Sequence, residues 1–303
     1  MNNTSSMKNI SSFIYGTTRL GDEHIPFKER VTVACAAINA GVWFHTSRQY
    51  GNALELLSAA FDKDRTKIPT VIAKIGGDNI EALTADIKRN LEPLGLKSLD
   101  VGQLCIGGEL AQDFAAGGTS VKKLERIRES GLVKSYVLEV FPWTSQTALK
   151  ALQGGSAEGI VDAFILYLNP LQRFASNELW DVLIERDQSI IALRTVAGGP
   201  VHRLRDVPGA AWKEYLQKRA VQVAPIFERS GITSWTEFCL RFARSIPNVL
   251  ATVGAAAKLS NLNEFLAAKE SKQFLSQDLM EEIFRLQRRW SDELDIHAEP
   301  WTM

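Results

Sequence analysis

Short apolar runs rich in valine and isoleucine alternate along the chain with longer stretches in which apolar residues recur every three to four positions. The short runs indicate buried strands, and the 3.6-residue period indicates amphipathic helices that cover them. Strands are predicted at 13–16, 42–44, 70–73, 99–105, 136–138, 164–167, 190–193 and 249–253. Helices are predicted at 31–39, 53–61, 80–91, 121–130, 146–152, 178–185, 212–228, 235–244, 262–268 and 278–290.

Strands that alternate with helices predict right-handed crossovers and a parallel sheet. About eight such units occupy the length that is typical of a (β/α)8 TIM barrel, an α/β fold. No Gly-x-Gly-x-x-Gly motif follows the first strand, which argues against a Rossmann domain. We therefore predict a single barrel domain over 1–303, with an insertion at about 195–232 and a C-terminal helix and tail at about 276–303.

Composition excludes several classes of partner. Lys plus Arg and Asp plus Glu number 35 each, so no overall field favours nucleic acid or an anionic membrane surface. No apolar stretch approaches the roughly 18–20 residues that cross a bilayer, and the polar N-terminus does not resemble a secretory signal. Cys35, Cys105 and Cys239 are too widely spaced for a disulfide framework or a metal cluster. We expect a cytoplasmic protein with a small-molecule substrate; nothing in the sequence indicates an oligomeric state.

The segment 44–51, Phe-His-Thr-Ser-Arg-Gln-Tyr-Gly, resembles the signature Phe-Asp-Thr-Ala-x-x-Tyr-Gly of the aldo-keto reductase superfamily. Further landmarks of that superfamily follow in the same order at 15–21, 40–42, 72–76, 99–104, 169–173 and 197–199. Each match is weak alone, but their order and spacing together indicate the fold. The resemblance implies an aldo-keto reductase-like (β/α)8 barrel that reduces carbonyl compounds with NADPH at its open mouth.

The same resemblance implies four catalytic positions, which in this chain are His45, Tyr50, Lys74 and Cys105. In the family a Tyr protonates the carbonyl oxygen, a Lys held by an Asp lowers the pKa of that Tyr, and a His donates to the same oxygen. Tyr50 and Lys74 match this pattern. His45 cannot supply the negative charge that anchors the Lys, and Cys105 is a weaker hydrogen-bond donor than imidazole.

The positions that would contact the cofactor have also changed. Glu139 and Val140 stand where the family has the Ser-Asn pair that holds the nicotinamide carboxamide. Ile165 replaces a Gln, Leu193 replaces the aromatic residue that stacks on nicotinamide, and an expected Asn falls near Phe265. Arg194 and Lys258 are the two side chains that could still bind phosphates. We expect either no cofactor or NADP.

The role of Glu139 has several alternatives, because an inward-facing carboxylate is costly unless it is paired or used. It could form a salt bridge with Lys74, act as a general base, or bind the substrate. Arg194 could pair with Glu139, bind a phosphate, or clamp a substrate carboxylate. Other candidates for the mouth of the barrel are His24, Trp143, Asn169 and Trp301.

Three hypotheses about function follow. The first is non-redox acid/base chemistry (elimination, isomerisation or cyclisation) on a small polar or anionic metabolite, using Tyr50, Lys74 and Glu139. Charged residues at the barrel mouth favour this first hypothesis, because loss of function alone would not usually leave Glu139 and Arg194 there. The second is an NADPH-dependent carbonyl oxidoreductase with a variant tetrad. The third is a catalytically silent barrel that binds a ligand or a partner subunit.

Overall fold

A computed structural model describes residues 6–198, 213–270 and 273–297 of the chain. Trp301 and residues 199–212 of the predicted insertion lie outside these residues. The strands are β1 (Phe13–Gly16), β2 (Trp43–Thr46), β3 (Val71–Gly77), β4 (Leu99–Ile106), β5 (Val133–Val140), β6 (Val161–Asn169), β7 (Gln172–Arg173), β8 (Ile190–Leu193) and β9 (Val249–Ala255). The helices are α1 (Phe27–Asn39), α2 (Ala53–Phe61), α3 (Ile80–Leu94), α4 (Gly108–Ala115), α5 (Thr119–Glu129), α6 (Ser145–Gln153), α7 (Asn177–Glu185), α8 (Lys213–Arg229), α9 (Trp235–Arg244), α10 (Leu259–Glu270) and α11 (Gln277–His297).

The strands form a closed parallel barrel. The sheet order is β5-β4-β3-β2-β1-β9-β8-β6-β7, and an additional pairing of β5 with β6 closes it. The short strand β7 pairs antiparallel with β6 and stands outside the parallel set. The prediction of a (β/α)8 barrel is therefore confirmed. In the described ranges, no helix is both long and apolar enough to cross a membrane.

Inside the barrel every second residue of a strand points inward, as the pleat requires. The inward residues of the strands below the mouth are apolar and form one cluster with Met7, which lies in a 3-10 turn (Ser6–Asn9) before β1. The strand residues of the cluster are Ile14, Trp43, Ile72, Val101, Val137, Ala163, Ile165, Ile191, Leu193, Ala251 and Val253. Two residues farther along five of these strands the inward positions become polar: His45, Lys74, Gln103, Glu139 and Tyr167. These side chains lie at the carboxyl ends of the strands, the face on which barrel enzymes carry their active sites.

The loop that carries Tyr50 packs against the loop that follows β1. Arg30, a buried residue of α1, donates to the Leu20 carbonyl and, over 2.9 Å, to Asn52 Oδ1, so it ties the two loops together. A Cβ built on Gly21 would lie 2.2 Å from the Tyr50 carbonyl oxygen. Only a residue without a side chain therefore fits at this point of contact.

Gly21→Ala is expected to lower the free energy of unfolding by about 1–3 kcal/mol and to displace the Tyr50 loop. The new methyl group would overlap the Tyr50 backbone, which cannot move aside as the end of a flexible side chain can. Urea denaturation measures the first effect, and the NMR signals of labelled tyrosine measure the second. Gly131→Ala is the control: a Cβ there meets no atom within 4 Å, and only the left-handed backbone (φ +76°) is strained. Unshifted Tyr50 signals in Gly21→Ala would contradict the prediction.

Candidate active site

A short ion pair joins two strands at the centre of the mouth. Lys74 extends from β3 and Glu139 from β5, and Lys74 Nζ lies 2.5 Å from Glu139 Oε1. Both side chains are largely buried, with 14% and 6% of their surface exposed. Burial is the largest single influence on the pKa of Lys74 and lowers it. The charge and hydrogen bond of Glu139, together with the smaller effects of Tyr50 and Cys105, outweigh burial, and the net shift is upward. Lys74 is therefore a fixed ammonium at neutral pH, and the salt bridge is the alternative that the geometry adopts for Glu139.

His45 and Cys105 extend this cluster through Gln103. His45 Nε2 lies 2.6 Å from Gln103 Oε1, and Gln103 Nε2 donates to Cys105 Sγ over 3.9 Å. Cys105 Sγ in turn donates to the Gln103 carbonyl over 3.6 Å. Because the amide oxygen of Gln103 only accepts, the proton of neutral His45 lies on Nε2. A chain of hydrogen bonds thus connects His45 of β2 with Gln103 and Cys105 of β4, close to the charges of the ion pair.

The protonation states of these two side chains follow from burial. Burial and, next, the charge of Lys74 lower the pKa of His45 to about 3, against the opposing effect of the hydrogen bond that His45 donates to Gln103. Burial also raises the pKa of the Cys105 thiol well above its usual range. At neutral pH His45 is therefore an uncharged imidazole and Cys105 an uncharged thiol. Neither supplies charge to the site.

Tyr50 is a protonated phenol in this setting. Burial raises the pKa of Tyr50 to about 12, and the positive charge of Lys74 offsets only part of that rise. Tyr167 and Glu139 also raise the pKa of Tyr50, and a hydrogen bond with Thr18 lowers it. Tyr50 can therefore donate a proton or a hydrogen bond at neutral pH, but it is not a phenolate.

Tyr167 is a further mouth residue that sequence reasoning missed. Its ring stacks on Phe174 with centroids 4.9 Å apart and meets Phe141 edge-on at 5.5 Å. The guanidinium of Arg194 lies 5.6 Å from the ring centroid and hydrogen-bonds with the hydroxyl. The signal that could have found Tyr167 is its position two residues beyond Ile165, on the same face of one strand. Gln103, which was also missed, lies two residues before Cys105 on one face of β4.

The remaining candidates are spread around the barrel. Trp143 stacks on Phe141 with centroids 4.7 Å apart and is 50% exposed. His24 is exposed just before α1, and Lys258 is exposed just before α10. Asn169 is fully buried, and its amide group holds the backbone after β6 and after β8. Direct contact of Asn169 with a substrate stays a prediction, which this geometry does not favour.

Comparison with known proteins agrees with this architecture. The sequence model described as the aldo/keto reductase family matches residues 12–287. The chain belongs to the aldo/keto reductase family. No curated protein sequence matches it significantly.

Solved aldo-keto reductases share the fold at low identity. One from Klebsiella pneumoniae, in complex with NADP and acetate, has a TM-score of 0.67 and 17% identity, covering 92% of this chain and 92% of its own. Another, the thermostable Tm1743 with the inhibitor epalrestat, has a TM-score of 0.69 and 17% identity, covering 94% and 100%. A holo form from Bacillus halodurans has a TM-score of 0.68 and 17% identity, covering 92% and 95%.

The strand ends of this family member do not fit a nicotinamide ring. Val140 and Ile165 are fully buried, and Leu193 is nearly so, as part of the interior apolar cluster. Glu139, the polar side chain among these positions, already binds Lys74. A carboxamide placed here would leave polar groups unpaired, at a cost of about 1–3 kcal/mol each. We therefore assign no step of the chemistry to a nicotinamide cofactor.

Two further observations bear on cofactor and metal binding. Phe265, near which the resemblance implies an Asn, stacks on Phe13 with centroids 5.0 Å apart and fills space instead of offering polar groups. Within the described ranges, no group of three or more His, Cys, Asp or Glu is placed to hold a metal ion. The chemistry that the described side chains can carry is proton donation beside a fixed ammonium.

Proposed function

We propose that this member of the aldo/keto reductase family acts on a small polar or anionic carbonyl compound by proton transfer, in an elimination, isomerisation or cyclisation. Tyr50 is the proton donor. The observation that carries the proposal is the Lys74–Glu139 ion pair of 2.5 Å in the cluster that contains Tyr50. It keeps a positive charge close to a phenol that remains protonated at neutral pH.

The roles of the three residues follow from their charges. Tyr50 donates its proton to the carbonyl or leaving-group oxygen of the substrate, where negative charge develops as the proton on the neighbouring carbon passes to solvent water. The phenol is then reprotonated from solvent. The ammonium of Lys74 stabilises that charge and makes the phenol a stronger acid as the proton moves. Glu139 holds Lys74 in place and so acts through it. A positioned proton donor of this kind contributes about 10²–10⁴-fold in rate.

A second candidate function is NADPH-dependent reduction of a carbonyl group. Two observations favour it: solved relatives are complexes with NADP or NADPH, and Glu139 rebuilds from β5 the carboxylate partner of the Lys. The buried apolar side chains of Val140, Ile165 and Leu193 argue against a reductase function. The third hypothesis, a silent ligand-binding barrel, has no specific observation in its favour.

The first test uses no nicotinamide. Small aldehydes, ketones and hydroxy ketones are incubated with the enzyme in D₂O, and proton NMR follows deuterium incorporation and elimination products. We expect turnover of at least one compound, with Tyr50→Phe lowering the rate by about 10²–10⁴-fold. Tyr136→Phe is the matched control, because it removes a buried phenol bound to the Leu124 carbonyl. Its rate should equal that of the wild type.

The second test separates the two candidate functions by titrating NADPH and following its fluorescence. Absence of binding at millimolar cofactor, together with Tyr50-dependent exchange, supports proton transfer. Micromolar binding with Tyr50-dependent oxidation of NADPH would establish the reductase and overturn the proposal. If neither exchange nor oxidation depends on Tyr50, both enzymatic functions fail and the ligand-binding hypothesis is left.

A further inference from the structure

Arg194 has an unusual backbone conformation for a residue with a long side chain. Its φ is +49°, in the left-handed region, and in the described ranges Asp187 is the other non-glycine residue with positive φ. Residues with a Cβ rarely adopt this conformation, and they do so chiefly where the surrounding structure imposes it. Such a residue at the mouth of a barrel suggests a function for its side chain.

Buried hydrogen bonds impose the conformation. Asn169 Nδ2 donates to the Arg194 carbonyl over 3.0 Å and to Gln172 Oε1 over 3.1 Å. Asn169 Oδ1 accepts from the Leu171 amide over 2.9 Å, and Gln287 of α11 donates to the Asn169 carbonyl over 2.8 Å. The network joins the ends of β6 and β8 with α11. Asn169 is thus a positioning residue that acts through Arg194.

Ring contacts connect the Arg194 guanidinium with the ion pair. The guanidinium lies 5.6 Å from the centroid of the Tyr167 ring, and Tyr167 meets the Phe141 ring edge-on at 5.5 Å. Lys74 Nζ lies 5.8 Å from the centroid of the same Phe141 ring, and the charge of Lys74 acts on Tyr50. Arg194 and the proposed proton donor therefore belong to the same mouth of the barrel.

We propose that Arg194 binds the carboxylate of the substrate, so that the substrate is a small oxo acid whose carbonyl oxygen meets Tyr50. A guanidinium presents five donors in a planar fork, so it can keep its bond to Tyr167 and still bind a carboxylate. Lys74 is already engaged by Glu139. The inference rests on the proposed function only in taking Tyr50 as the proton donor.

Calorimetric titration tests the inference with pyruvate, acetoacetate and levulinate, each compared with its methyl ester, which removes the charge. We expect at least one acid to bind 10-fold or more tightly than its ester. Arg194→Asn should abolish this preference while Tm stays near or above that of the wild type, because Asn tolerates the left-handed region. Arg194→Lys should keep part of the preference, since it keeps the charge without the fork.

Asp187→Asn is the matched control, because it changes a charged side chain at the other left-handed position, which is exposed. It should leave the preference for acids intact. Equal binding of acids and esters, no binding of any acid at millimolar concentration, or an Arg194→Asn variant that keeps the preference would each overturn the inference. The inference would also be overturned if Arg194→Asn lowered the affinity for inorganic pyrophosphate or NADP and left the affinity for oxo acids unchanged. Arg194 would then be a nucleotide contact.

Failure of this inference and failure of the proposed function give different results. If Arg194 binds no carboxylate, uncharged ketones should still exchange deuterium in a manner that depends on Tyr50. If Tyr50 is not a proton donor, the preference for acids over esters should persist without any Tyr50-dependent exchange.

Discussion

Glu139→Leu is expected to lower the free energy of unfolding by about 3–5 kcal/mol at neutral pH. The change leaves the ammonium of Lys74, which is 14% exposed, buried without its carboxylate. Desolvation of that charge is then uncompensated. Urea denaturation of the wild type and the variant, with the m-values compared, measures the loss.

Two controls show whether the loss comes from the unpaired charge. The double variant Lys74→Met/Glu139→Leu removes both charges and should recover most of the stability, because an apolar pair of similar volume needs no desolvation. Asp181→Asn breaks an exposed pair of similar length, Arg288–Asp181 at 2.6 Å, and should cost about 1 kcal/mol or less. A double variant as unstable as Glu139→Leu would contradict the prediction.

The pH dependence of the same pair has a definite sign. Because the folded protein raises the pKa of Lys74 above its ordinary 10.5, the folded state binds this proton more tightly than the unfolded state. The resulting stability is fully present below pH 10.5 and is lost as the pH rises above it. The wild type should therefore lose stability at alkaline pH relative to the double variant.

Much of the barrel could be predicted from the sequence because each strand is a short apolar run between helical patterns. The alternation also places the site: Lys74 lies two residues beyond Ile72, and Glu139 two beyond Val137, so both point inward. Helix α4 was missed because it begins at Gly108, which has a left-handed backbone, directly after Gly107. Paired glycines at that point resemble a loop.

The partner of Glu139 could not be predicted, because it depends on the stagger between strands. Lys74 and Glu139 are on strands separated by β4, and their contact follows from the pairing of Lys74 with Gln103 and of Gln103 with Val137. A pattern read along one strand contains no information about that stagger. The same limit hid the contact between His45 and Gln103, since each residue alone resembles an ordinary buried polar side chain.

His45 is expected to make the folded protein sensitive to acid. Its pKa falls to about 3 on folding, from an ordinary 6.5, because of burial and the nearby charge of Lys74. Above pH 6.5 the imidazole is neutral in both states and has no effect. Below it the unfolded chain binds a proton that the folded chain excludes, so stability falls by about 1.4 kcal/mol per pH unit. By pH 3 the loss is on the order of 4–5 kcal/mol.

The contribution of His45 is isolated by comparing variants, since carboxylates also titrate in this range. His45→Gln keeps a donor for Gln103 Oε1 but carries no titrating group, so its stability should fall less steeply between pH 6.5 and pH 3. His24→Gln removes an exposed histidine and should follow the wild type. Parallel curves for the wild type and His45→Gln would show that folding does not lower the pKa of His45, so that the imidazole is protonated in the folded state below its ordinary pKa of 6.5. In that acid range the ammonium of Lys74 would share the cluster with a second positive charge, and Tyr50 would be a stronger acid than its pKa of about 12 implies.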